Sequence, residues 1–207
     1  MDGFDPKTLL SLKDRVIIVT GGGKGIGKVY STSFAAAGAK VVVADIDAAA
    51  NETTVAAIKS AGGQAIACAT DVADEAATKR MAGAAVEAFG RIDGLINNAS
   101  LMSVLQRRPW HEIPVDEWDH VMGVNVRGIF LCCRAVFPQM VKQSKGKIVN
   151  ISSSRFWEGA PNRLHYSTSK AAVIGLTRAL SREVGQHNIT VNAVTPGFTL
   201  SDTQVAS

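Results

Sequence analysis

Several common signatures are missing from this chain. Its 207 residues include only three cysteines, Cys68, Cys132 and Cys133. The count is odd, two of them are adjacent, and no spacing suits zinc. A disulfide framework and a structural metal site are therefore excluded, and the thiols read as buried residues of a reducing compartment. Charge of one sign is never concentrated. The net charge is +4 and the pI about 9.1, yet the basic residues are scattered, with no run longer than Arg107-Arg108. That pattern argues against a nucleic-acid surface. No stretch of about 18 uncharged apolar residues is present, so no membrane span is expected. The opening MDGFDPKTLLSLKDR has no basic stretch followed by an apolar one and does not read as a secretory signal. A nucleophile-elbow G-x-S-x-G is also absent, which disfavours a Ser-His-Asp hydrolase.

What is present is an alternation. Hydrophobic residues make up 46% of the chain and charged residues 19%, as in a well-buried globular domain. RVIIVT (15–20), KVVVAD (40–45), QAIACA (64–69), RIDGLI (91–96), GKIVNIS (146–152) and NITVNAV (188–194) read as strands. They are apolar without strict alternation, as strands covered on both faces should be. Ala-rich helical stretches lie between them, near 25–37, 48–60, 74–89, 115–142 and 164–184. Alternating elements with right-handed crossovers predict an α/β fold: a doubly wound parallel sheet in three layers, α/β/α. No linker interrupts residues 1–207, which are expected to form one domain. The longest expected loop is 100–114, with Pro109 and Pro114.

The first strand runs into TGGGKGIG, Thr20 to Gly27, where the first helix begins. Gly21 can make the tight turn. Gly25 lets the backbone approach a pyrophosphate at the helix N-terminus, and Gly27 permits close packing of helix on strand. Asp45 stands twenty positions beyond Gly25, at the end of the second strand. A carboxylate there can accept both adenosine ribose hydroxyls and would repel a 2′-phosphate, which favours NAD over NADP. Lys24 points the other way, since a cation beside the turn helps a 2′-phosphate. Asp47 suits a helix N-cap better than Asp45 does.

Further along, YSTSK (166–170) sets a tyrosine and a lysine one helical turn apart, within about 6 Å on one face. A phenol has a pKa near 10, and lowering it about three units takes roughly 4 kcal/mol. A neighbouring cation, together with a bound nicotinamide, is expected to supply such a shift. The adjacent His165 points about 100° away on a helix and is expected to border the pocket or face solvent.

With these motifs in hand, the chain resembles the short-chain dehydrogenase/reductase family over about residues 13–203. TGGGKGIG matches TGxxxGIG, Asp71-Val72 the pair that flanks the adenine, and NNAS (97–100) the NNAG motif with Ser100 in place of glycine. Asn125-Val126 matches the helix asparagine, VNISSS (149–154) holds the serine, YSTSK matches YxxxK and TPGF (195–198) the PG turn. The resemblance implies a Rossmann fold, and an NAD site lined by Gly21, Lys24, Gly25, Ile26, Gly27, Asp45, Asp71, Val72, Asn98, Ala99, Pro196, Gly197 and Thr199, with Tyr166 and Lys170. It also implies catalysis by Asn125, Ser153, Tyr166 and Lys170. Ser153 is chosen over Ser152 and Ser154 because the family serine commonly stands thirteen positions before the tyrosine. Asn125 is implied to hold a water that links Lys170 to solvent.

Family members commonly continue past SDTQVAS into a helix pair and a further strand, so a C-terminal strand and lid are expected to be missing. A cytoplasmic homodimer or homotetramer acting on a small-molecule alcohol or ketone is implied, with NAD as cofactor. Phe156, Trp157 and Leu164, between serine and tyrosine, are expected to form an apolar, partly aromatic wall suited to cyclic or aromatic substrates. Arg155, Glu158 and Arg163 are left either contacting polar groups or facing solvent. The alternatives are an NADP-dependent carbonyl or 3-oxoacyl carrier-protein reductase and a dinucleotide-binding scaffold without turnover.

Overall fold

The computed structural model describes residues 10–199. Six strands form one parallel sheet: β1 (Val16–Thr20), β2 (Lys40–Asp45), β3 (Gln64–Ala69), β4 (Gly94–Asn97), β5 (Gly146–Ile151) and β6 (Ile189–Val194). Their spatial order is β3-β2-β1-β4-β5-β6. The chain therefore winds outward from β1 to one edge, crosses back, and winds from β4 to the other edge. This reversal between β1 and β4 opens a crevice beyond the strands' carboxyl ends. The closing residues SDTQVAS lie outside the described part, so the sequence expectation about a missing C-terminal strand and lid concerns residues beyond it.

Helices cover both faces: α1 (Gly25–Ala36), α2 (Ala48–Ser60), α3 (Glu75–Phe89), α4 (Val115–Met122), α5 (Gly128–Lys142), the four-residue α6 (Arg155–Glu158) and α7 (Leu164–Val184). Two apolar layers follow from the side-chain alternation of the strands. Ile18, Val42, Leu95, Ile148 and Val191 face one layer with Met81, Cys132, Val136 and Val173. Ile17, Val19, Val41, Val43 and Ile96 face the other with Val55 and Ile58. All five residues of β1 are buried, as its unbroken β-branched sequence requires.

Two boundaries differ from the sequence expectation. β4 begins at Gly94 rather than at residue 91. The Asp93 amide donates to the Val16 carbonyl at 2.8 Å and its carbonyl accepts from the Lys147 amide at 3.0 Å, while its carboxylate accepts from the Val16 amide and from the Arg91 and Arg15 guanidiniums. The helical stretch 115–142 is interrupted by a π turn at Gly123–Arg127. By length and composition Val115–Lys142 would suffice to cross a membrane, a feature missed in the sequence because charged residues divide it. In the fold, Ile129, Cys132, Cys133, Val136 and Met140 pack this helix against the sheet. None of the three cysteines is in a disulfide. Burial pushes the Cys133 thiol up to about 12 and Cys132 higher still, so both stay protonated and inert.

Candidate active site

The glycine turn closes onto the start of the second half of the sheet. Gly21 sits at φ +62°, and a Cβ there would lie 2.9 Å from Ala99 Cα. Asn98 Nδ2 donates to the carbonyls of Thr20 and Gly21 at 3.0 and 3.2 Å. Thr20 Oγ1 accepts from the Asn98 and Ala99 amides, a clamp that the motif reading did not single out. A Cβ on Gly27 would come within 1.9 Å of the Gly21 carbonyl oxygen and 2.6 Å of Asn98 Nδ2. Gly27→Ala is therefore expected to destabilise the fold by about 1–3 kcal/mol, read by chemical denaturation. Stability equal to wild type would contradict this packing.

Beyond the turn lies a cleft of about 550 Å³. It is lined by every residue expected to contact a dinucleotide: Gly21, Lys24, Gly25, Ile26, Gly27, Asp45, Asp71, Val72, Asn98, Ala99, Pro196, Gly197 and Thr199, with Tyr166 and Lys170. No side chain caps the N-terminus of α1 and no acidic residue occupies its first turn, so its leading amides are available to an anion. Asp45 lines the cleft with its carboxylate accepting from the Gly23 and Asp47 amides at 3.2 and 3.1 Å. Asp47 is the N-cap of α2, as expected, accepting from the Ala50 amide at 3.0 Å. The same Asp47 carboxylate forms an ion pair with Lys24. On these observations the cleft fits a dinucleotide: bare backbone where phosphates would lie, and a carboxylate at the far strand end.

At the other end of the cleft the three serines separate. Ser152 Oγ donates to the Lys170 carbonyl at 2.7 Å, and Ser154 Oγ donates to Glu158. Ser153 is the one beside the Tyr166 phenol. All three lie just past the end of β5. Tyr166 is 5% exposed, packed with Leu105 and Val121. Lys170 is 3% exposed, its Nζ donating to the Ile151 carbonyl at 2.8 Å and lying 5.6 Å from the Tyr166 ring centroid.

The electrostatics depart from the sequence expectation. Burial raises the Tyr166 pKa, and Ser153, Arg155 and Arg163 pull it back down; Lys170 is not among the groups that lower it. Burial instead depresses Lys170 itself, to about 8. The reason is desolvation: a buried ammonium loses the hydration that its charged form needs.

Asn125 is buried within the π turn. Its Oδ1 accepts from the Leu101 amide at 2.8 Å, and its Nδ2 donates to the Leu101 carbonyl and to Ser169 Oγ at 3.2 and 3.1 Å. It thus ties the loop after β4 to α7. The π turn supplies the extra residue that rotates Asn125 inward.

Two other expectations are corrected. His165 neither borders the pocket nor faces solvent: it is 0% exposed, with Nε2 3.1 Å from Glu117 Oε1. The predicted apolar wall of Phe156, Trp157 and Leu164 does not line the cleft; Trp157 is 72% exposed and Leu164 is also exposed. Helix α6 exposes Trp157, leaves Phe156 half-buried outside the cleft lining and brings Arg155 in. Leu101, Met102, Arg107, His120 and Arg163 complete this end. The sequence signal for Leu101, Met102 and Arg107 was the expected loop 100–114, which packs over Tyr166 through Leu101, Met102 and Leu105.

A doubly wound sheet whose switch-point crevice ends in a serine, a phenol and a buried amine defines an α/β oxidoreductase of the hydride-transfer type. The chain belongs to the short chain dehydrogenase family, whose model matches residues 15–207. It is 40% identical over 189 residues to a (2S)-[(R)-hydroxy(phenyl)methyl]succinyl-CoA dehydrogenase subunit of Thauera aromatica, covering 91% of this chain and 75% of that one. It is 38% identical over 197 residues to a 3-oxoacyl-[acyl-carrier-protein] reductase of Synechocystis, covering 94% and 78%. Among solved structures, a 7α-hydroxysteroid dehydrogenase complexed with NADH and 7-oxo glycochenodeoxycholic acid superposes with a TM-score of 0.91 at 35% identity, covering 99% of this chain and 78% of that one.

Proposed function

We propose that this protein interconverts a secondary alcohol and its ketone with NAD(H), using Tyr166 as the proton-transfer residue. The observation that carries this reading is the convergence of Ser153, Tyr166 and Lys170 at one end of a cleft whose other end is the glycine turn and Asp45. Bound nicotinamide would supply or accept the hydride. Tyr166 gives its proton to a ketone oxygen, or takes one from an alcohol. Ser153 donates a hydrogen bond to the same oxygen and stabilises negative charge that develops there. Lys170, fixed by the Ile151 carbonyl, presents a donor between the phenol and the end of β5. Asn125 is a positioning residue that holds Leu101 against α7.

The preference for NAD rests on Asp45 and Asp47 together. Lys24, which favoured NADP in the sequence, is neutralised by Asp47 and stands beside a second carboxylate. A 2′-phosphate would meet two acids and one already paired cation. Titration with NADH and NADPH, followed by fluorescence, is expected to show tighter binding of NADH. Asp45→Ala is expected to weaken NADH about tenfold or more and NADPH far less, since hydrogen bonds to a charged group contribute roughly 1.5–3 kcal/mol. Equal loss for both nucleotides would overturn the ribose assignment. Relatives named as a 2-(R)-hydroxypropyl-CoM dehydrogenase and a levodione reductase support the alcohol–ketone reading. Self-association to a dimer or tetramer belongs to the same proposal and is checked by light scattering.

A further inference from the structure

The substrate end of the cleft carries an unbalanced positive charge. Arg155 enters from α6, Arg163 from the residue before α7, and Arg107 from the loop that folds over Tyr166; all three line the cleft. Arg155 and Arg163 are partly buried, and the Nε of each is buried without a hydrogen-bond partner among the described residues. Arg163 Nη2 donates to the Leu105 carbonyl at 3.0 Å, which fixes the guanidinium in place. Among the described residues no carboxylate lies within ion-pair distance of any of the three. Glu158, the one acid near them in the cleft lining, already accepts from Ser154 Oγ. Arg107 and Arg155 are close enough to Arg163 to repel it, and Arg155 and Arg163 are close enough to Tyr166 to act on its phenol.

Like charges held together and partly desolvated, with donors left unpaired, are costly unless an anion joins them. The nucleotide phosphates would sit at the glycine turn, the opposite end of the cleft, and cannot serve that purpose. Guanidinium forks match planar oxyanions in particular. We propose that the substrate is an oxo or hydroxy acid, its carboxylate or equivalent oxyanion held by Arg155 and Arg163, with Arg107 contributing from the loop, while the carbonyl faces Tyr166. This inference names the substrate class of the dehydrogenase reading above and rests on it. It moves substrate recognition from the aromatic wall expected of Phe156, Trp157 and Leu164 to the arginines.

The test compares acetoacetate and levulinate, each with its own methyl ester, on the full chain. Binding is measured by calorimetry, and NADH-dependent reduction is followed in parallel. The acids are expected to bind and react at least tenfold better than their esters, the size of one charge-assisted hydrogen-bond pair. Arg155→Gln and Arg163→Gln are each expected to bring the acid-to-ester ratio down toward one, and added sulfate is expected to inhibit the acids selectively. Arg163→Gln also removes the bond to Leu105 and can loosen the loop. Arg155→Gln, which donates no recorded side-chain bond, and Arg163→Lys, which keeps the charge, separate the two effects; the lysine variant should recover part of the ratio. Esters that match the acids, a ratio unchanged in both glutamine variants, or no measurable binding of either acid would each overturn the proposal. Failure of the dehydrogenase reading shows separately, as absent NADH binding or absent turnover of the neutral esters, and leaves the calorimetric acid-to-ester comparison readable.

Discussion

Tyr166→Phe is expected to cut turnover by about 10²–10⁴-fold in both directions while NADH binding persists. Phenylalanine keeps the ring that packs with Leu105 and Val121, so the fold should change by no more than a lost hydrogen bond, about 1 kcal/mol. What disappears is the proton carrier. Because burial raises the Tyr166 pKa, the neutral phenol is the resting form and ketone reduction has its acid in place at neutral pH. Oxidation needs the phenolate and is expected to accelerate as pH rises. Ser153, Arg155 and Arg163 all lower this pKa, so Ser153→Ala should move the oxidation profile to higher pH as well as slow it. Steady-state rates of wild type and both variants across pH decide the matter. A Tyr166→Phe enzyme with wild-type turnover would remove the phenol from the mechanism.

The second large effect concerns Lys170. Its folded pKa of about 8 lies below the 10.5 of an unperturbed lysine. The unfolded chain therefore binds more protons than the folded one between pH 8 and pH 10.5, and wild-type stability gains with rising pH across that window. Below it the full penalty for burying the charge stands, about 3 kcal/mol. Lys170→Met removes that penalty and the hydrogen bond to the Ile151 carbonyl, the latter at a cost of about 1 kcal/mol. The variant should be more stable than wild type at neutral pH, and the difference should shrink as pH climbs from 8 to 10.5. The inert thiols Cys132 and Cys133 contribute an opposite slope at high pH, but equally to both proteins. Turnover should fall with the loss of the buried donor. Denaturant unfolding at neutral and alkaline pH reads the effect. Parallel stability curves would mean that folding leaves the Lys170 pKa unchanged, with no penalty for burying its charge.

Both predictions rest on spacings visible in the sequence. Four residues along a helix suffice to place Tyr166 and Lys170 together, and a glycine turn between a β-branched run and an Ala-rich helix suffices to place the nucleotide end of the cleft. The six strands were legible for the same reason: unbroken apolar runs have few other ways to bury both faces. Side-chain anchors that reach across the sheet were not legible, as where the Asp93 carboxylate accepts from the Val16 amide. The choice among Ser152, Ser153 and Ser154 came from family spacing; in the structure Ser152 and Ser154 are bonded to the Lys170 carbonyl and to Glu158, partners that no local pattern encodes.

Local periodicity, glycine placement and the tyrosine–lysine interval were thus enough to determine the strands, the turn and the pairing of Tyr166 with Lys170 on one helix face, because each depends on residues within a few positions of one another. Only the tertiary structure decided that His165 is sealed inside, that Trp157 faces water and that Arg107, Arg155 and Arg163 meet at the cleft. Those outcomes depend on how a loop, a four-residue helix and the start of α7 are laid against one another, and side-chain direction at such junctions follows from packing between segments that are far apart in the chain.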